Sequence, residues 1–177
     1  SENFNEMAER GLLMRTERGA MQTYDYQGDC VEIDVYVVHM DADFYHPIKC
    51  PDVNKDVAAR RSQLKQLSDY IIRKFDEGCD RPAIIMGDTN CNYNYEWDRE
   101  LIHYYLERWL NVFRGLLVDE MYWWVNNSCV DRIFIVNNPR SRHWLKQVMC
   151  VQDKAFSGLS DHLPIIAEIE IETSFTR

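Results

Sequence analysis

Glycine and proline are scarce in this 177-residue sequence, with seven and five copies, and they are scattered rather than gathered into a linker. It also lacks repeats and low-complexity tracts, so we expect one continuous domain over residues 1–177. No apolar run approaches the roughly 18 residues of a membrane-spanning helix, and no signal peptide is visible at the start. We expect a soluble protein, whose first residue, Ser1, is compatible with secretion or a periplasmic location after removal of an upstream segment.

The cysteine pattern argues against two common kinds of site. None of the six Cys forms a Cys-x-x-Cys pair, which disfavours a zinc ribbon and a thioredoxin-like site. Their even number permits three disulfides but fits small buried thiols equally well. We expect mostly free thiols.

The net charge is acidic, at −9. General nucleic-acid binders usually carry a basic surface, because neutralising phosphates drives their affinity. The charge therefore argues against tight, sequence-independent binding to nucleic acid. It does not exclude an enzyme that meets a phosphate through a metal ion, because the cation supplies the local positive charge.

Hydrophobic periodicity predicts a mixed α/β domain in which helices cover sheets. The expected elements are a hairpin over residues 11–26 that turns at Arg18-Gly19, the strand VEIDVYVVHM, a helix over residues 56–78, the strand PAIIMG, a helix from about Trp97 to Leu116, and the strands CVDRIFIV, QVMCVQ and PIIAEIEIE.

Four of these strands carry polar residues at one end. They are His39, Asp41 and Asp43 after the first strong strand, Asp88 and Asn90 in GDTN, Asp131 at the start of VDRIF, and Asp161 and His162 in LSDHLP. Each group alone is ordinary turn or cap chemistry. Together they are the residue types that hold a hard cation and move a proton, so we expect these strand ends to converge in one cleft.

Five segments carry a family resemblance: VVHMDAD, RSQLKQL (which begins at Arg61), IIMGDTN, VDRIFI and SDHLPIIAEI. In this order, over about Gly11 to Glu172, they resemble the endonuclease/exonuclease/phosphatase superfamily of deoxyribonucleases, sphingomyelinases and inositol polyphosphate 5-phosphatases. The resemblance implies an α/β (α+β) fold: part of a four-layered sandwich of mainly antiparallel or mixed sheets with helices outside. It also implies hydrolysis of a phosphoester assisted by Mg²⁺ or Mn²⁺.

The resemblance implies a role for most of the polar strand ends. His162 matches the residue that activates or stabilises the attacking group, and Asp131 matches the carboxylate that orients it. Asp88 and Asn90 match the pair that positions the nucleophile and the phosphate. His39 matches a His that contacts the phosphate.

The sequence departs from the family pattern at its start. The family's first strand and a second strand with a Gln-Glu pair have no counterpart, so we expect about the first third of the domain to be missing, on the order of 80 to 100 residues. That Glu is the family's principal Mg²⁺ ligand, which leaves Asp161 as the obvious direct ligand. We therefore expect the 177 residues alone to be inactive, and the missing segment or a second copy of the chain to cover an exposed apolar sheet face.

Two functions follow from these observations. The first is a metal-dependent phosphoester hydrolase, with a lipid or small phosphoester ranked slightly above DNA. The segment HMDAD and the long, aromatic-rich helix look closer to the sphingomyelinase-like branches of the superfamily, and the acidic charge favours the same ranking. The alternative is a catalytically incomplete fragment or dead family member that acts as a binding or interaction domain. The missing Glu favours the alternative, whereas the retained polar strand ends favour the enzyme.

Overall fold

Two sheets and two helices make up the described part of the chain, which in this computed structural model comprises residues 15–24, 27–41, 53–92, 95–108, 130–152, 162 and 164–173. The strands are β1 (Arg15–Tyr24), β2 (Cys30–His39), β3 (Ala83–Asp88), β4 (Asp131–Val136), β5 (His143–Gln152) and β6 (Ile165–Thr173). The helices are α1 (Val53–Asp76) and α2 (Glu96–Ile102), and a π-helical turn, His103–Arg108, continues α2. No helix within these ranges is long and apolar enough to cross a membrane.

The larger sheet has the strand order β1-β2-β3-β4. β2 and β3 run parallel, whereas β1 and β4 pair antiparallel to their neighbours. A parallel pair needs a long crossover that returns the chain to the same end of the sheet, and α1 lies in that connection. β5 and β6 form a second, antiparallel sheet.

One face of the larger sheet packs against α1. Apolar residues recur along α1 at three- and four-residue intervals, which places them on one side of the helix. The shared core joins Leu64, Leu67 and Ile71 of α1 to Tyr36, Val38, Ile85 and Phe134 of the sheet. Burying each of these side chains contributes roughly 1.5–3 kcal/mol, so this cluster fixes α1 against the strands.

The opposite face of the larger sheet meets the second sheet. Strand register arranges its side chains in rows across β2, β3 and β4: first Val35, Ile84 and Ile135, then Val37, Met86 and Ile133. Ile84 and Ile135 pack against Leu145 of β5 in a second buried cluster. Val37 remains 46% exposed. That a further segment or a second copy covers such apolar surface stays a prediction.

The predicted fold class is confirmed, because the described residues form a mixed α/β structure of two mainly antiparallel sheets with helices. The predicted hairpin is wrong. β1 is one continuous strand, since all ten of its residues pair with β2 and Gly19 lies opposite Val35 rather than in a turn.

Several other boundaries differ from the sequence-based expectation, and α1 begins three residues and ends two residues earlier than the predicted helix over residues 56–78. The second helix is regular only to Ile102 and then widens into the π-helical turn, while residues 109–116 lie outside the described ranges. β5 begins at His143, four residues before the predicted QVMCVQ, and a register shift between Gln147 and Met149 divides its pairing with β6.

Three cysteines of the described chain, Cys30, Cys79 and Cys91, are free thiols. Burial raises the pKa of the Cys91 thiol to about 12, so this side chain stays protonated at neutral pH. A buried protonated thiol is a poor nucleophile and a poor metal ligand. Cys91 is therefore a packing residue.

Gly87 allows β3 to approach β2 closely, immediately before the polar strand ends. Its φ is 128°, in a region that residues with a side chain rarely adopt. A Cβ at this position would lie 2.1 Å from the carbonyl oxygen of Val38. Glycine is therefore required for the pairing that brings Asp88 beside His39.

We predict that Gly87→Ala destabilises the protein by at least about 2 kcal/mol, because the new Cβ must displace β2 and strain the backbone. Gly19→Ala is the matched control, since a Cβ on that strand glycine meets no atom within 4 Å. Urea denaturation of both variants measures the difference. Equal midpoints for the two variants would contradict the steric explanation.

Candidate functional site

Strand register places three predicted site residues in one row at the edge of the larger sheet. His39 lies opposite Asp88 on the parallel pair, and Asp88 lies opposite Asp131 on the antiparallel pair. β2 and β3 end at this edge while β4 begins there, because β4 runs in the opposite direction. The polar row continues the two apolar rows on the same face, since residues two apart along a strand share a face.

His162, just before β6, approaches this row from the second sheet. Its Nδ1 lies 2.7 Å from Oδ2 of Asp131, within hydrogen-bond distance. Ligand atoms of Asp88, Asp131 and His162 all lie within 4.8 Å of one another. Residues that are far apart in sequence thus form one compact group of two carboxylates and an imidazole.

Asp88 is held by the turn that follows β3. Its Oδ1 accepts a hydrogen bond from the backbone N–H of Asn90 at 2.8 Å, which is the local turn that Asp side chains favour. Asn90 has a φ of 48°, a left-handed conformation that Asn tolerates better than most residues. The other carboxylate oxygen of Asp88 lies 3.8 Å from Nε2 of His39, whose side chain is 67% exposed.

The Asp88 carboxyl has a raised pKa. Burial is the largest cause, because a desolvated carboxylate resists ionisation, and the nearby Asp131 acts in the same direction. The hydrogen bond from Asn90 and the charges of His162 and His39 lower the pKa and offset part of the shift. Asp88 therefore holds a proton more tightly than an exposed Asp does.

Hydrogen bonds connect the ends of β2, β3 and β4. The Met40 N–H donates to the backbone carbonyl of Asp88 at 2.9 Å, and the Asn90 amide donates to the carbonyl of Met40 at 2.9 Å. The Thr89 hydroxyl donates to the carbonyl of Val130, beside Asp131, at 2.7 Å. Each polar strand end is thus fixed relative to its neighbours.

The structure brings together most of the residues predicted from sequence. Asp88, Asn90, Asp131 and His162 lie together, and His39 is adjacent to Asp88. Their catalytic roles stay predictions. Asp161, the predicted metal ligand, lies outside the described residues.

Sequence reasoning assigned no role to three buried residues behind the site: Arg60, Gln63 and Asp98. The helix motif was assigned to Arg61, but Arg61 is exposed and Arg60 is fully buried. The sequence did indicate that these residues are unusual, because Arg60 and Gln63 interrupt the apolar face of the helix formed by Leu64 and Leu67. A charge on the core face of a helix usually has a buried partner.

The donor set suits a divalent cation. The carboxylates of Asp88 and Asp131 supply the oxygen ligands that Mg²⁺ and Mn²⁺ favour, and an imidazole suits Mn²⁺ better than Mg²⁺. The raised pKa of Asp88 supports this assignment, because a bound cation would stabilise a carboxylate that burial and Asp131 disfavour.

Comparisons with solved structures found several similar chains. The catalytic domain of human Nocturnin with bound sulfate is 18% identical, with a TM-score of 0.51 over 86% of this chain and 52% of that one. Beta toxin of Staphylococcus aureus is 19% identical, with a TM-score of 0.47 over 85% and 57% of the two chains. An endonuclease/exonuclease/phosphatase family protein from Bacteroides thetaiotaomicron is 13% identical, with a TM-score of 0.42 over 86% and 62%.

The match to the Nocturnin catalytic domain, whose TM-score exceeds 0.5, shows that the two chains share a fold. The resemblance seen in the sequence is thereby confirmed at the level of the fold. The chain spans about half the length of the Nocturnin and beta-toxin structures. No protein-family model matches the sequence. No curated protein matches it either.

We predict that Asp88→Asn raises the melting temperature of the metal-free protein at pH 7. The raised pKa means that ionising Asp88 destabilises the fold, and the amide removes that charge while its oxygen can still accept from Asn90. The destabilisation is absent below the ordinary pKa of 3.8, grows as the pH rises, and is complete above the raised pKa.

Thermal unfolding in a chelator, from about pH 3 to pH 7, measures this effect across the ordinary Asp pKa. The difference in melting temperature between Asp88→Asn and wild type should disappear at the lowest pH of this range. Asp80→Asn is the control, because Asp80 is exposed in the loop after α1. A melting temperature for Asp88→Asn at or below the wild-type value at pH 7 would contradict the prediction.

Proposed function

We propose that this chain provides the catalytic residues of a metal-dependent phosphoester hydrolase. The observation that carries the proposal is the contact of 2.7 Å between His162 and Asp131, in a group that also contains Asp88. A buried network that only stabilised the fold would not need an imidazole 42% exposed at its side chain. Exposure gives His162 access to a substrate while Asp131 holds its orientation.

The His162–Asp131 pair is suited to proton transfer. A carboxylate that accepts from Nδ1–H fixes the tautomer in which Nε2 exchanges a proton with a reacting group. Histidine titrates near neutral pH, so the ring can accept or donate a proton under physiological conditions. In the proposed reaction His162 acts as an imidazolium, which Asp131 stabilises, and its Nε2–H donates a hydrogen bond to the phosphate oxygens.

Asp88 is suited to act on the attacking water. An ionised carboxylate only accepts hydrogen bonds, so Asp88 can orient a water molecule through one of the water's protons. Its hydrogen bond with the N–H of Asn90 fixes the direction of the carboxylate. We assign to Asp88 the orientation of the water.

Mg²⁺ or Mn²⁺ would be held by the carboxylates of Asp88 and Asp131, with Asp161 as a further predicted ligand. When bound, such an ion offsets the negative charge of a phosphoester and stabilises the charge that develops on its oxygens. The same proposal places Asn90 and His39 on the phosphate, where a donor amide and an exposed imidazole can contact its oxygens.

We rank a small or lipid phosphoester above DNA as the substrate. A protein with a net charge of −9 repels DNA, because DNA carries negative charges along its whole length. A substrate with a single phosphate can be attracted by the positive charge of the metal site alone. Hydrolysis of bis-p-nitrophenyl phosphate, choline-phospholipid vesicles and duplex DNA by the complete gene product compares these classes. A preference for DNA at physiological salt would contradict the ranking.

We predict that His162→Ala lowers the rate of hydrolysis by the complete gene product about 10²–10⁴-fold, the usual contribution of a proton-transferring side chain. Asp131→Asn should be nearly as damaging, because an amide can donate to the imidazole and favour the wrong tautomer. Release of p-nitrophenol from bis-p-nitrophenyl phosphate measures both. His103→Ala, an exposed histidine on the π-helical turn, is the control.

Retention of more than half the wild-type rate by His162→Ala would refute the assignment. A chelator should also abolish the activity of the wild-type protein, and added Mg²⁺ or Mn²⁺ should restore it. Calorimetry of metal binding separates the hydrolase from the alternative function. Metal binding without turnover on any phosphoester would favour a binding or interaction domain.

A further inference from the structure

Two buried polar residues of α1 contact the chain segments that follow the catalytic strands. Gln63, which is 3% exposed, accepts a hydrogen bond at Oε1 from the backbone N–H of Asp41 at 2.9 Å. Asp41 is the second residue after His39. The helix side chain therefore fixes the backbone just beyond the end of β2.

Arg60 contacts the segment after β3 through Asp98. Its Nε and Nη2 donate to Oδ1 of Asp98 at 3.2 and 2.9 Å, and both side chains are fully buried. The other carboxylate oxygen of Asp98 accepts from the backbone N–H of Asn92 at 2.9 Å. Asn92 is the second residue after Asn90, so this ion pair fixes the segment that carries the GDTN turn.

The two contacts come from one face of one rigid element. Arg60 and Gln63 are three residues apart on α1, a spacing that places them on the same side of the helix. The segments that they contact are already joined, because the Asn90 amide donates to the Met40 carbonyl. α1 therefore holds both segments at once, in a fixed relation to the sheet on which it packs.

The polarity of these residues is informative. Replacing a buried ion pair by apolar residues of similar volume is often neutral or stabilising, so stability alone does not require Arg60 and Asp98. A hydrogen bond has direction, which apolar packing lacks. The Asp98 carboxylate joins the Arg60 guanidinium to the Asn92 backbone, and this geometry defines where the segment lies.

We propose that Arg60, acting through Asp98, and Gln63 are positioning residues of the active site. They hold the segments after β2 and β3 so that His39, Asp88 and Asn90 keep their places beside the Asp131–His162 pair. This inference rests on the proposed hydrolase function. A displacement of about 1 Å at a catalytic group can lower a rate about 10²-fold, so positioning affects turnover even when the fold is intact.

The test compares four variants of the complete gene product. Gln63→Met removes the acceptor at similar volume, and Gln63→Glu restores an acceptor. The double variant Arg60→Met/Asp98→Asn removes the ion pair but keeps an oxygen for the Asn92 N–H. Ser68→Ala is the control, because the buried Ser68 hydroxyl on the same helix donates only locally, to the Lys65 carbonyl.

The readouts are kcat and KM on bis-p-nitrophenyl phosphate, with the urea midpoint as the measure of folding. We expect Gln63→Met and the double variant to lose about 10- to 100-fold in kcat with KM within about twofold of wild type, since misplaced catalytic groups affect the transition state. Gln63→Glu should recover most of the Gln63→Met loss. Folded variants with a kcat equal to that of Ser68→Ala would overturn the proposal.

Amide hydrogen exchange separates this proposal from the proposed function. If wild type hydrolyses no phosphoester, the exchange of the Met40 and Asn90 amides still reports whether the two segments are held. The positioning role is supported if these two amides exchange faster in Gln63→Met and in the double variant than in Ser68→Ala, while all other amides are protected equally in the three variants. Unchanged exchange overturns it. If the double variant does not fold, Gln63→Met against Gln63→Glu decides the question.

Discussion

The register between β2, β3 and β4 is the constraint on which the site depends. Because side chains alternate with a period of two, a slip of one residue on any of these strands would turn its polar end to the other face. The observed register places His39, Asp88 and Asp131 in one row. The buried Ile84 and Ile135 on the same face specify this register, since a slip would expose them, and Gly87 permits the close approach that the register requires.

The site brings two carboxylates close together, although their negative charges repel each other. Asp88 is partly buried near a second carboxylate, and its raised pKa is the consequence. The fold holds this arrangement through directional contacts, namely the Asp88–Asn90 turn, the Met40 and Thr89 hydrogen bonds, and the buried residues of α1. Destabilising charges that rigid neighbouring elements hold in place are typical of functional sites. Selection for stability alone would have replaced such residues.

Sequence reasoning could predict what has a local or periodic signature. The periodic spacing of apolar residues predicts β2, α1 and β3. The polar residues at the ends of the strands predict that these ends lie at the same edge of the sheet. Sequence reasoning failed where contacts between residues far apart in the sequence determine the local structure. Arg18-Gly19 has turn chemistry, yet Gly19 stays extended because β2 offers a partner along all of β1. The role of Asp98 was invisible for the same reason, since its partners, Arg60 and the Asn92 backbone, are brought to it by the fold.

The central claim is that Asp88, Asp131 and His162 form one site for a divalent cation and a phosphate. A crystal structure of the complete gene product with Mn²⁺ and inorganic phosphate, with the ion located by anomalous scattering, tests it directly. We predict an Mn²⁺ peak against the carboxylates of Asp88 and Asp131, with a phosphate oxygen within hydrogen-bond reach of the His162 ring. An Mn²⁺ and phosphate pair bound away from this row of strand ends, or a crystal that binds neither, would contradict it.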